Sequence, residues 1–195
     1  MVRRSLPIAL LLVSLCWQLP SCAQEMAQEA VLLVASPELQ DPNFAESVVL
    51  VLFPREGGPL GVILNRPTRL MLKDAFPDEQ NLRGRSDTVY FGGPVRPGGL
   101  MFLFRREGAS EGAFPVLEDL YLSNNGTLLD TLLGGSEGGV QRYFLGYSGW
   151  APVQLEVEVA SGAWHVLPAD RQTILQMDPK VMWRELLARA TAVKT

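Results

Sequence analysis

A single domain mixing short β-strands with a few helices is what the sequence predicts, on three observations. Val31–Ala35 and Val48–Phe53 are unbroken apolar runs rich in branched residues, the pattern of strands buried on both faces. Only six residues, Pro54–Pro59, separate the second run from Leu60–Leu64. That is too few for a helical crossover, so these two strands should lie antiparallel. Near the C-terminus, Asp178-Pro179 precedes an apolar stripe of Met182, Trp183, Leu186, Leu187 and Ala190. A capping Asp, an opening Pro and a helical period together predict a helix.

Between the first two strands, Asp41-Pro42-Asn43-Phe44 starts a turn, because Asp bonds backbone N–H groups ahead of it and Pro fixes the next φ. Asn65-Arg66-Pro67 ends the third strand, since Pro has no ladder donor. Leu70–Phe76 reads as a short helix stopped by Pro77, and Asp78–Asp87 as a polar surface loop. Val89–Phe91 and Leu100–Phe104 are strands joined by a turn-rich Gly92–Gly99 link, and Leu120–Leu122 is a further short strand. Leu128, Leu129, Leu132 and Leu133 recur with helical spacing and Gly134-Gly135 follows as a stop, with Ser123 or Asn124 as the expected cap. Arg142–Gly146 is a strand running into a Tyr147–Pro152 turn. Leu155, Val157 and Val159 alternate like a strand, whereas Pro152 at a first helical position favours a helix; the two signals balance. Ala163–Leu167 is the last strand.

The chain has 195 residues, 47% hydrophobic and 19% charged, enough for one core without staples. Met1–Ala23 is built like a secretory signal: positive Arg3 and Arg4, an uncharged Leu6–Trp17 run, then Leu19-Pro20-Ser21-Cys22-Ala23. The apolar run has 12 residues, while a membrane-spanning helix needs about 20. Leu19–Cys22 resembles a bacterial lipobox in which Cys22 becomes the lipidated first residue; ordinary cleavage before Gln24 is the alternative. The domains expected are thus residues 1–23 as leader and 24–195 as the folded unit, exported and periplasmic or lipid-anchored at a bacterial membrane. Translation from Met26 would instead leave a cytoplasmic protein. Losing Arg3 and Arg4 takes 17 basic residues to 15 against 21 acidic, a charge of −6. A net acidic domain is a poor match to phosphate backbones, which clustered Lys and Arg bind. Arg83, Arg85, Arg96, Arg105 and Arg106 form a local exception that reads most simply as a solvated face. The only cysteines, Cys16 and Cys22, sit in the leader and the only histidine is His165. A zinc or non-haem iron site would have to be almost wholly carboxylate, which suits those metals poorly, so no cofactor is expected.

Four segments carry a resemblance: Leu60-Gly61-Val62-Ile63-Leu64-Asn65-Arg66-Pro67, Val89-Tyr90-Phe91-Gly92-Gly93-Pro94-Val95, Gly146-Tyr147-Ser148-Gly149-Trp150 and Leu167-Pro168-Ala169-Asp170. Their order and spacing resemble the YqgE/AlgH family, from about Val31 to the C-terminal helix. The resemblance implies an α+β fold, a strongly curved mixed or antiparallel sheet forming a partial barrel with flanking helices. It also implies a helix just after Trp150. It brings no established activity, only a transcription-regulator label that net acidity and the leader both oppose. Two departures stand out. The acidic or His-containing stretch common after the second strand is replaced by Phe53–Gly58, and the Gly-type residues usual after the Trp become Ala151-Pro152-Val153.

Chemistry is thin. Gly146–Trp150 superficially resembles the serine nucleophile elbow, with His165 and Asp170 downstream, but the elbow needs Gly two residues after Ser. Gly134–Gly139 lacks the Lys of a P-loop, and Gly92-Gly93-Pro94 opens no helix as a dinucleotide fingerprint must. Glu118-Asp119 and Glu156/Glu158 pair carboxylates in spacing alone. No residue is assigned a catalytic role. The expected activity is non-catalytic binding or interaction with an unidentified protein or small-molecule partner, with membrane association through a lipid anchor on Cys22; a small serine hydrolase is the enzymatic alternative. Candidate binding residues are Asn65, Arg66, Gly92, Gly93, Tyr147 and Trp150, at strand ends within turns where side chains are positioned rather than buried. The simpler account of all six is that they fix turns and seal the sheet edge.

Overall fold

The computed structural model describes residues 30–134 and 139–192. The leader, Cys22, Met26 and most of the Gly134–Gly139 loop lie outside the described residues. The strands are β1 (Val31–Ala35), β2 (Val48–Leu52), β3 (Leu60–Ile63), β4 (Pro67–Met71), β5 (Thr88–Phe91), β6 (Val95–Arg105), β7 (Phe114–Leu117), β8 (Leu120–Ser123), β9 (Gly139–Gly149) and β10 (Trp164–Pro168). The helices are α1 (Leu72–Ala75), α2 (Gly126–Gly134), α3 (Gln154–Ala160), α4 (Arg171–Gln176) and α5 (Pro179–Ala192).

The strands form one curled sheet, a half-barrel in the order β10-β1-β2-β3-β9-β6-β8-β7, with β5 and then β4 branching from β9. Every pairing is antiparallel except β5 with β9. The predicted β2–β3 pair is present, with Leu52 opposite Leu60. The apolar runs of β1 and β2 are buried on both faces. Leu32, Val34, Val48 and Leu50 enter a core shared with Met182 and Leu186 of α5, while Leu33, Ala35, Val49 and Val51 face Leu155 of α3. A third cluster sits under α1 and α2 around Phe102, Phe104 and Tyr143.

The branch point explains two of the motifs. β9 pairs with β5 at Tyr143–Leu145, but farther along with β3 at Ser148 and Gly149. At the changeover the Gly92 N–H donates to the Leu145 carbonyl at 2.8 Å, and the Gly92 carbonyl accepts from Ile63 N–H at 3.0 Å. A Cβ at Gly92 would stand 2.3 Å from the Gly146 carbonyl oxygen, and one at Gly93, whose φ is +150°, 2.4 Å from the Tyr147 carbonyl. Only glycine permits this crossing.

Several expectations are corrected. β6 starts at Val95, so the supposed Gly92–Gly99 link is mostly strand, with a register shift between Val95 and Leu100. β9 runs on through Tyr147 to Gly149, where a turn was expected, because β3 and β6 supply partners on both sides. β3 does stop before Asn65-Arg66-Pro67, but Pro67 also opens β4, where the first residue of an outlying strand needs no ladder donor. The α2 cap is Asn125, whose Oδ1 accepts from Leu128 N–H at 3.1 Å. Ser123 instead donates to the Gly112 carbonyl and accepts from Asn125 N–H. The balanced segment after Trp150 is helix α3.

Candidate functional site

Asn65 and Arg66 leave β3 toward the loop joining β1 to β2. Within that loop Phe44 and Ala45 N–H groups both donate to the Asp41 carbonyl, leaving later carbonyls turned outward. The Arg66 guanidinium collects three of them, on Pro42 (3.2 Å), Asn43 (2.5 Å) and Ala45 (2.7 Å). Asn65 behaves as an added peptide group: its Oδ1 accepts from Val48 N–H and its Nδ2 donates to the Glu46 carbonyl, both at 2.9 Å. Burial lowers the pKa of Arg66, while Asp41 and Glu46 oppose that shift; a guanidinium stays charged regardless.

These two residues form one wall of a cleft of about 660 Å³. The other wall is the start of α5: Pro179, Lys180, Trp183 and Arg184. Asp178 caps that helix by accepting from Lys180 N–H at 2.9 Å, and Trp183 anchors it by donating Nε1–H to the Ala35 carbonyl at 2.8 Å. Three cationic side chains, Arg66, Lys180 and Arg184, thus line the cleft against one carboxylate, Glu46. Among the described residues neither Lys180 nor Arg184 has an ion-pair partner.

The structure does not gather the six candidates. Gly92, Gly93 and Tyr147 sit together at the β5–β9 branch, with Tyr147 packed on the main core. Trp150 lies on the other face of the sheet, under α3. There it is 7% exposed and stacks on Phe44 with ring centres 6.3 Å apart. Its Nε1–H and that of Trp164 both donate to the same Glu158 Oε2, each at 2.9 Å. Gln154 donates to the other carboxylate oxygen at 2.8 Å. Glu158 is therefore a clamp holding α3 to the sheet, not half of a glycosidase pair.

The serine triad is not assembled. Ser148 is fully buried and its hydroxyl donates to the Gly92 carbonyl at 3.1 Å. His165 is on β10, four strands away from β9 in the sheet order. Asp170 caps α4, accepting from Thr173 N–H at 2.8 Å and Thr173 Oγ1 at 2.6 Å. Asp119 is likewise taken, by Arg105 at 2.7 Å and by Arg171. The arginine-rich stretch breaks up accordingly: Arg105 pairs with Asp119, and Arg85 lies 4.0 Å from Asp87.

The sequence reading missed Lys180 and Arg184, which carry no motif. It also missed Arg142, a buried cation whose Nη1 donates to the Leu64 carbonyl at 3.1 Å and whose guanidinium lies 4.6 Å from the centre of the Tyr90 ring. Burial lowers its pKa, with Tyr90 opposing. Its signal was a single Arg inside a strand pattern.

The AlgH-like (DUF179) family model matches residues 32–193. A UPF0301 protein of Streptomyces coelicolor is 38% identical over 163 residues, covering 81% of this chain and 84% of its own length. One from Anaeromyxobacter dehalogenans is 36% identical over 167 residues, covering 80% and 85%. The solution structure of the AlgH protein of Pseudomonas aeruginosa superposes with a TM-score of 0.64 at 28% identity, covering 83% of this chain and 86% of that one. A crystal structure from Corynebacterium diphtheriae shares the fold, with a TM-score of 0.62 at 23% identity over 83% and 86% of the two chains. By sequence and by fold, the chain belongs to the AlgH-like, UPF0301 family.

Proposed function

We propose that this protein is a non-catalytic binding domain whose ligand enters the cleft between Asn65–Arg66 and the start of α5. The observation that supports this most is the charge there, unpaired among the described residues: Lys180 and Arg184 stand exposed in a concave site beside a fixed Arg66. Unpaired charge converging on a concavity is the pattern of recognition. By contrast, the groups that could break bonds are held in structural bonds: Ser148 by Gly92, Asp170 by Thr173, Glu158 by two tryptophans. The leader adds export across the inner membrane and tethering through Cys22, and net acidity speaks against a transcription-regulator role.

Amide chemical shifts under a fragment panel test the binding reading. Perturbations should cluster at Asn65, Arg66 and Lys180–Arg184; ester turnover abolished by Ser148→Ala would overturn it. Intact mass of the membrane fraction tests the location: a diacylglyceryl group on Cys22 supports the tether, and an N-terminus at Met26 refutes export.

A further inference from the structure

We infer that the ligand of this cleft is an amphiphilic anion, its charged head held at Lys180 and Arg184 and its apolar tail laid along α5. The inference rests on the cleft being the binding site and adds the chemistry of what enters it. Arg184 lines the cleft and also a second groove of about 420 Å³, whose walls include Pro37, His165, Leu187, Ala188 and Thr191. Lys180, Arg184, Leu187, Ala188 and Thr191 recur at helical spacing, so they form one stripe along α5. At 1.5 Å per residue the stripe is about 16 Å long. It begins with two cations that have no ion-pair partner among the described residues and continues through Leu187 and Ala188, a charge followed by a mostly apolar track.

The acidic groups nearby do not cancel the head site. Asp178 is engaged by Lys180 N–H, and Glu46 is the single carboxylate among the described residues that line the cleft. Glu38 lines the second groove and not the cleft; it stays charged, its pKa lowered chiefly by the hydrogen bond it accepts from the Ser36 hydroxyl. Arg66 supplies a charge that three carbonyls hold in place. A hydrophilic anion would leave the second groove unused, and a neutral lipid would leave the two cations unanswered.

Calorimetric titration with dodecanoate, dodecanol and acetate tests this, with each variant's melting temperature confirming an intact fold. Dodecanoate should bind, and dodecanol and acetate should each bind at least tenfold more weakly. Arg184→Gln should lower dodecanoate affinity at least tenfold by removing the head contact, and Ala188→Glu should do the same by blocking the tail. Dodecanol binding as tightly as dodecanoate would refute the anionic head. Acetate binding as tightly, with shifts confined to the cleft, would refute the tail and leave the cleft reading standing. Binding of none of the three would refute the ligand class, and the fragment panel would then judge the cleft separately.

Discussion

Glu158→Ala should weaken the hold of α3 on the sheet while leaving the half-barrel folded. Trp150 and Trp164 are 7% and 4% exposed, and both give their indole N–H to one oxygen of this carboxylate. Removing a shared acceptor leaves two buried donors, each costing about 1–3 kcal/mol when unsatisfied. Glu158 is itself half-buried, so water can reach part of the gap. The expected loss is therefore about 2–4 kcal/mol, near the low end of the summed range. For a domain of this size that lowers the melting temperature by roughly 4–16 °C. Glu158→Gln keeps an oxygen that can serve both indoles but loses the charge and the acceptor for the exposed Gln154 amide, so about 1 kcal/mol should go. Urea unfolding measures both, and an unchanged m-value would show that the denatured state is not responsible. The Trp150 and Trp164 indole N–H resonances should shift in the alanine variant and hold nearly still in the glutamine one. Equal destabilisation by the two variants, or an alanine variant within 1 kcal/mol of the parent, would refute the clamp.

Val153 has φ +70° and is 65% exposed, so a branched residue sits where glycine belongs and buries little in return. Val153→Gly should stabilise by about 0.5–1 kcal/mol, the relief of a left-handed side-chain clash less the extra entropy of glycine, read as a higher urea midpoint. Gly93→Ala puts a methyl 2.4 Å from the Tyr147 carbonyl, backbone that cannot yield cheaply; the variant should lose at least 3 kcal/mol or fail to fold, judged by near-UV circular dichroism. Hydrogen bonds from Arg171 and then Arg105 lower the Asp119 pKa from 3.8 to about 2. The folded state thus favours its charged form, which stabilises above the unfolded pKa and is lost as pH falls from about 4 through 2. Asp119→Asn should accordingly differ from the parent at pH 7, by at most about 1 kcal/mol for so accessible a network, and match it near pH 2.

What the sequence disclosed followed from how local each cause is. The β1 and β2 runs announced strands buried on both faces, because burial on two sides demands apolar residues at every position. The C-terminal helix was legible from cap, Pro and stripe. β4 and β7 were not, since each opens with or contains a proline and offers few buried residues. The Tyr147–Gly149 end of β9 looked like a turn because Ser148 and Gly149 have weak strand preference, while β3 and β6 hold it extended from outside.

The candidate site divides along the same line. Glycine and aromatic motifs are visible because only those residues satisfy a crossing such as Gly93 over Tyr147, but what makes them visible is backbone geometry, and backbone geometry is the use the fold makes of them. Asn65 and Arg66 drew notice by ending a strand, and they too spend most of their polar groups on the β1–β2 loop. A residue that recognises something outside the chain must instead keep its polar atoms unspent. Lys180 and Arg184 do so, and an unspent Lys or Arg on a helix looks in sequence like any solvated residue. Their meaning appears only when α5, fixed by Trp183 on the Ala35 carbonyl, brings them opposite Arg66. In this fold the conspicuous residues build the frame, and under the proposed binding role recognition falls to inconspicuous ones that the frame sets in a concavity.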